Sequence, residues 1–353
     1  MNLMKNFLKT FICNTSYAFN LPEYLGFFRR NKILVLMYHR ILKSYSDDPL
    51  KNLNEHSISE SQFEDQMAYL SHHCNVISVS DLIAGKNISQ NNKNVVITFD
   101  DGYKDNFTNA FPILLKYNLP ALFSISTEFV VNKTPLWFDI IEHAVRLVKK
   151  KHISIKLYDK YVDFILNSLN DKIKLLYWLR SKCFEITQEN RGGFINDLIN
   201  EFDIPIDYEE LLIDPDYAPL SSEEIHEMAY SKMAEFAAHS VHHYLLSRVN
   251  ITTLKHELLQ SKSAVEYLTN SPCKYFCIPG GYYNETMINA ILDTKFEVIF
   301  SSDTVEVDPQ NIPVVIGRFG ITRSINKGLF ADIVHGPFHS IYYSLKAHKY
   351  KEI

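Results

Sequence analysis

Two adjacent carboxylates, Asp100 and Asp101, follow the apolar run Val95-Val96-Ile97 and the pair Thr98-Phe99, and Gly102 comes directly after them. A short apolar run of this kind reads as a buried strand, so both acids stand where a strand runs out into a loop. Neighbouring strand residues point to opposite sides, and the two acids need not do the same job. One can hold a metal while the other faces a substrate as a base. Gly102 lets the backbone turn tightly beside whatever binds there. An acidic turn without chemistry would use the same letters, since Asp-Gly is common turn material. Much later the apolar stretch Phe236-Ala237-Ala238 ends in His239, with His243 four residues on. That spacing suits a helix, a loop or a helix start. Imidazole is a preferred ligand for zinc and its neighbours, and a carboxylate is a common third ligand. His239, His243 and Asp101 together would leave coordination positions open for water and substrate. A lone His pair is commonly surface or core decoration. A His pair and an Asp pair that each end an apolar run are a much more specific conjunction.

Elements must bring these residues together. Apolar strand candidates are 33–38, 95–99, 121–126, 235–238, 275–278, 297–301 and 313–318, and helical patterns cover 60–73, 106–117, 222–231, 253–268 and 284–293. Strands alternating with helices predict an α/β fold with a parallel sheet or barrel. In such barrels the working residues stand at the C-terminal ends of strands, where both the Asp pair and the His pair fall.

Composition sets outer bounds. The 353 residues fit one elaborated barrel, and 46% hydrophobic residues suffice for a sizeable core. A net charge of −5 argues against a general nucleic-acid binder, and Lys149-Lys150-Lys151 reads as a solvated face. Five cysteines without dense spacing do not make a disulfide framework, and Cys273 and Cys277 read as buried thiols. His72, His73, His226 and His256 read as surface residues, and His242 as an outward neighbour of the His pair. Residues 1–30 carry an apolar stripe at helical spacing interrupted by Lys5 and Lys9, unlike a signal peptide or a spanning helix. The expectation is a cytoplasmic protein whose N-terminal segment either packs on the barrel or touches the inner membrane face, with Phe27-Phe28-Arg29-Arg30 as a second anchor.

Thr98-Phe99-Asp100-Asp101-Gly102 with His239-Ser240-Val241-His242-His243 resembles the first two motifs of the polysaccharide deacetylases, carbohydrate esterase family four. Leu36-Met37-Tyr38-His39-Arg40, Leu220 to Ile225, Phe276 to Asn284 and Gly317-Arg318-Phe319 resemble further family segments, in the right order. The resemblance implies a distorted (β/α) barrel of about seven strands, formed by 31–132 and 219–330. Residues 133–218 then form a mostly helical insertion, a partial lid or a buttress, and 331–353 a C-terminal tail.

The resemblance also implies metal-assisted hydrolysis of an N-acyl amide. Asp101, His239 and His243 would hold a divalent metal, zinc first, with cobalt, nickel and manganese as the other ions such a site takes. Asp100 would be the general base, and the backbone N–H of Gly280 would help hold the oxyanion. The leaving amine needs an acid, for which His39 and His335 are the two candidates. Cys277 stands where the family's motif has an arginine that pairs with the catalytic Asp, so Arg318 or Arg40 would take that place. Arg318 could instead bind a substrate anion. The implied partner is an N-acetylated sugar or glycan, free or in a nucleotide- or lipid-linked precursor. Two alternatives stay open: a hydrolase of formyl or ureido amides, and a barrel that binds carbohydrate without cleaving it.

Overall fold

The computed structural model describes residues 31–336 together with Cys13, Thr15 and Tyr17. The expectations for the N-terminal segment and for the tail beyond Gly336 therefore lie outside the described residues. Among those described, no helix is long and apolar enough to cross a membrane.

One sheet organises the chain. Its strands are β1 (Ile33–Tyr38), β4 (Cys74–Val76), β5 (Lys93–Phe99), β6 (Ala121–Ile125), β9 (Ala234–Ala238), β10 (Tyr275–Cys277), β11 (Val298–Phe300), β12 (Val315–Ile316) and β13 (Phe319–Gly320). Short β2 (Arg40–Leu42) and β3 (Ser57–Ser59) pair separately, as do β7 (His152–Leu157) and β8 (Lys160–Ile165). The order is β12-β11-β10-β9-β6-β5-β1-β13, with β4 beside the start of β5, and every pair is parallel. Seven strands were expected from the apolar runs. Two differences arise: β4 is too short and too polar to show as a run, and 313–318 yields only β12, with β13 following it as a separate strand. Those two, β12 and β13, lie at opposite edges of the sheet yet are separated in sequence only by Gly317 and Arg318. The sheet must therefore curl until its edges meet, which makes it a distorted barrel. A side chain at Gly317 would collide with the Asp303 carbonyl, 2.2 Å from an ideal Cβ.

Alternation within the strands divides two cores. Leu34, Leu36, Val95, Ile97, Ala121 and Phe123 pack outward with the surrounding helices. These include α1 (Glu60–His73), α3 (Phe111–Tyr117), α9 (Ser222–Tyr230), α10 (Ile251–Thr269), α11 (Glu285–Asp293) and α12 (Lys327–His335), while short α2 (Val79–Ala84) follows β4. The alternate set Ile33, Val35, Val96, Leu122, Ala237, Cys277, Phe300 and Ile316 fills the interior. Continuing that period of two past each strand's end carries Thr98 and Asp100, Ser124, His239 and Arg318 to the top of the barrel interior.

The segment 133–218 has its own apolar core around Ile141, Val145, Ile153, Ile155, Leu175, Leu179 and Leu198. After α4 (Thr127–Val131), it comprises α5 (Trp137–Leu147), the β7-β8 hairpin, α6 (Leu169–Glu185), α7 (Arg191–Phe202) and α8 (Tyr208–Ile213). The mostly helical content was expected, but the hairpin was not. Its buried Ile153 and Ile155 alternate with the exposed or half-exposed His152, Ser154 and Lys156, which is strand periodicity in plain view.

Candidate active site

The turn after β5 is strained in the way its residues allow. Asp101 has φ of 80° and Gly102 91°. A Cβ on Gly102 would lie 3.0 Å from Val130 Cγ2, so the Asp-Asp-Gly order suits both the backbone and the packing. The turn separates the two acids as strand alternation predicts. Asp100 points into the barrel mouth and Asp101 toward the loop after β9.

Asp100 is 2% exposed and fully engaged. Arg318 grips it with both fork nitrogens, Nη1 to Oδ1 at 2.8 Å and Nη2 to Oδ2 at 2.7 Å, while Ser124 Oγ donates to Oδ1 at 2.6 Å. Arg318 is in turn fixed by Nε to the Ser301 carbonyl at 3.1 Å and by Nη1 to Thr98 Oγ1 at 3.2 Å. Burial alone would raise the pKa of Asp100; the Arg318 guanidinium outweighs it and holds the carboxyl well below the usual range. Arg318 therefore takes the place of the arginine that Cys277 lacks, and Cys277 Sγ lies 3.5 Å from its Nη1. The expectation that Arg318 contacts substrate is corrected. It is 0% exposed, and its donors face Asp100, Thr98 and the Ser301 carbonyl. Arg40 does not take that role: it is bound to Asp105 at 2.6 Å and lies over the Tyr103 ring. Because the pair is buried, Arg318→Met should strand a lone carboxylate and cost about 3–5 kcal/mol of unfolding free energy. Chemical denaturation checks this, and a cost below about 1 kcal/mol would show that water reaches and solvates the pair.

His239 and His243 arrive by strand and loop, not by a helix. His239 ends β9, its N–H bonded to the Ile125 carbonyl at 2.9 Å. Ser240 and His243 both have positive φ, 60° and 52°, and coil the intervening loop. Glu257 of α10, 1% exposed, accepts the Val241 and His242 N–H groups at 2.9 Å each and binds His242 Nδ1. Arg191 at the start of α7 donates to the His242 and His243 carbonyls at 3.1 and 3.2 Å. Phe138 of α5 stands edge-on to the His243 ring at 5.5 Å. The insertion thus supports the histidine loop directly.

His239 Nδ1 lies 2.9 Å from the Cys277 carbonyl, which can only accept. The proton therefore sits on Nδ1, and in the neutral form of the ring Nε2 carries a lone pair turned outward. Nε2 of His239 and of His243 lie 3.4 and 3.3 Å from Asp101 Oδ1, which is buried and accepts no hydrogen bond. These separations are long for hydrogen bonds. They match the ligand-to-ligand edges of a tetrahedral ion with bonds of about 2.0–2.1 Å. The trio fits a divalent metal, and among the described residues it is the one His/Cys/Asp/Glu group with that geometry.

The two acid candidates separate clearly. His39, just past β1, feels the charges of Asp101, Asp100 and Arg318 and packs against the tilted ring of His56 with centroids 4.8 Å apart. Burial lowers its pKa to about 4 against the pull of Asp101, so the ring is neutral at pH 7. His335 is corrected. Its Nε2 lies 3.7 Å from Cys74 Sγ, and Cys74 pairs with Lys93, the first residue of β5, whereas Asp100 follows the last. His335 thus sits at the opposite end of the barrel. Gly280, exposed and at φ of 67°, lies in the turn after β10. Sequence reading missed Ser124, Glu257, Arg191 and Phe138. A buried glutamate on a helix next to the His motif was the one legible signal among them.

A second buried cluster borders this site. Tyr103 donates to Asp139 at 2.6 Å, and Arg40 and Glu142 complete the group. Burial raises Asp139 to about 8, with Glu142 and Asp101 adding to the shift and Arg40 opposing it. The folded state then holds a proton that the unfolded chain has released. In chelator-treated protein, stability should therefore fall as pH rises from the unfolded value of 3.8 toward 8. The slope is at most about 1.4 kcal/mol per pH unit. Urea unfolding at pH ~5 and ~8 checks this, and Asp139→Asn should flatten the difference.

Comparison with known proteins agrees with this geometry. The family model for polysaccharide deacetylase matches residues 87–157 and 190–299, just over half of the chain. A poly-beta-1,6-N-acetyl-D-glucosamine N-deacetylase of Staphylococcus aureus is 29% identical over 201 residues, covering 48% of this chain and 68% of that protein. The Streptococcus pyogenes deacetylase PplD, solved with acetate, superposes with a TM-score of 0.55 at 16% identity, over 86% of this chain and 98% of that one. IcaB from Ammonifex degensii gives 0.51 at 18% identity, over 85% and 97%. These two structures share the fold. The matched segments contain the Asp100-Asp101 turn and the His239-His243 loop, and the chain belongs to the polysaccharide deacetylase family.

Proposed function

We propose that the protein is a metal-dependent hydrolase that removes the N-acetyl group from an amino sugar of a polysaccharide or its precursor. The observation that carries this reading is the juxtaposition of an arginine-held, ionised Asp100 with a trio of inward-facing metal donors at one barrel mouth. A divalent ion held by Asp101, His239 and His243, zinc by the donor set, would polarise the amide carbonyl and lower the pKa of a bound water. Asp100 accepts the proton of the attacking water as general base, and Arg318 keeps it ionised and oriented between proton transfers. The Gly280 N–H is the chain's donor for the developing negative charge on the acyl oxygen. His39 is the remaining acid candidate. Being neutral, it must first take up a proton within the site before it can pass one to the leaving amine. The substrate class follows the named relative, whose polymer is an N-acetylated glucosamine chain.

Elemental analysis together with acetate release from N-acetylated glucosamine oligomers tests the reading. The expected result is about one metal per chain, loss of acetate release on chelation and its return with zinc. Metal without acetate release would show the wrong acyl group or sugar. No metal after zinc or cobalt supplementation would overturn the catalytic reading.

A further inference from the structure

The loop that carries His243 is held by two elements. Glu257 of α10 accepts its N–H groups, and Arg191 of the insertion donates through Nη2 to the His242 and His243 carbonyls. Arg191 is 3% exposed, with its guanidinium 4.7 Å from the Trp137 ring and 5.1 Å from the Tyr244 ring. Its Nη1 donates to Gln188 Oε1 at 2.8 Å, and the same oxygen accepts the Leu245 N–H at 3.0 Å. One Arg–Gln pair thereby fixes the backbone at residues 242, 243 and 245.

The oxygens that Arg191 grips are neutral, and Glu257 acts on it through space without a hydrogen bond. A buried cation is costly unless paired or well hydrogen-bonded. An apolar side chain of similar volume would fill the same space more cheaply. What such a side chain could not do is grip two successive carbonyls from one point. His243 needs that grip. Its φ of 52° is left-handed backbone, which a residue with a side chain keeps only where its surroundings over-determine it. Relaxation of that angle would swing the ring away from Asp101 Oδ1, which Nε2 now faces at 3.3 Å.

We propose that Arg191 is a positioning residue for the metal-binding trio: through the His242 and His243 carbonyls it sets how tightly a divalent ion is held. The proposal rests on the metal-dependent reading of the site. Zinc affinity of the full chain, measured by competition with a chromophoric chelator, is the readout. Arg191→Met should weaken it by about 10–100-fold. Arg191→Lys keeps the charge but loses the planar fork, and should fall between Arg191→Met and the wild type. Leu179→Ala opens a cavity in the insertion's own core and should leave zinc affinity unchanged. The visible spectrum of the cobalt-loaded protein should likewise change with Arg191→Met and not with Leu179→Ala. A zinc affinity of Arg191→Met within about twofold of wild type, or an equal loss in Leu179→Ala, overturns the proposal. Should Arg191→Met not fold, Arg191→Lys decides: weaker zinc binding supports the role, and unchanged binding overturns it. If the wild type binds neither zinc nor cobalt, the metal-dependent reading fails on its own. The crystal structure of Arg191→Lys then decides. His243 Nε2 displaced from Asp101 supports the positioning role, and a separation still near 3.3 Å overturns it.

Discussion

Asp100→Asn is expected to lower kcat by about 10²–10⁴-fold while the protein keeps its metal. The side chain is the same size, so the barrel mouth keeps its shape, and Asp101, His239 and His243 are untouched. What changes is the lone pair that accepts a proton and the charge that Arg318 grips with two bonds of 2.8 and 2.7 Å. An amide must turn its NH₂ toward one guanidinium nitrogen, donor against donor, so one of those bonds is lost as well. Acetate release, metal content and the thermal midpoint should be measured on the same sample. Turnover above about a tenth of wild type would remove Asp100 from the role of base.

His239→Ala is expected to lose both metal and turnover. The ring is held at one end by the Cys277 carbonyl and presents Nε2 beside Asp101 Oδ1 at the other. Its removal leaves two donors, Asp101 and His243, and a hole at a position 2% exposed in the wild type. The metal-to-chain ratio after dialysis and acetate release are the readouts. Unchanged metal content with full activity would take His239 out of the ligand set. The two variants form a contrast: one should separate metal binding from turnover, the other should remove both together.

The sequence carried the barrel's framework because buried parallel strands are short apolar runs. β1 matches its expected span, and α1 covers 60–73 as its periodicity required. It carried the metal-capable trio because Asp101 and His239 stand at the ends of such runs and His243 follows four residues on. It left Asp100's partner open between Arg318 and Arg40, since the Asp100–Arg318 contact joins residues 218 apart and no local pattern encodes it. His335 failed for a related reason. Its neighbours in sequence resemble a motif, but α12 delivers it to the Cys74 end of the barrel. The β7-β8 hairpin was legible in its alternation and was overlooked because the surrounding segment is helical.

The route of the chain through Gly317 and Arg318 has a consequence for assembly in time. The strands that carry Asp100, Asp101 and His239 are all made well before the crossing that closes the barrel. During synthesis or refolding, the ligand trio can therefore come together while the charge that keeps Asp100 ionised is still missing. The Asp100–Arg318 contact needs the chain through residue 318, whereas the trio needs it only through residue 243. Closing the barrel and arming its base are one event.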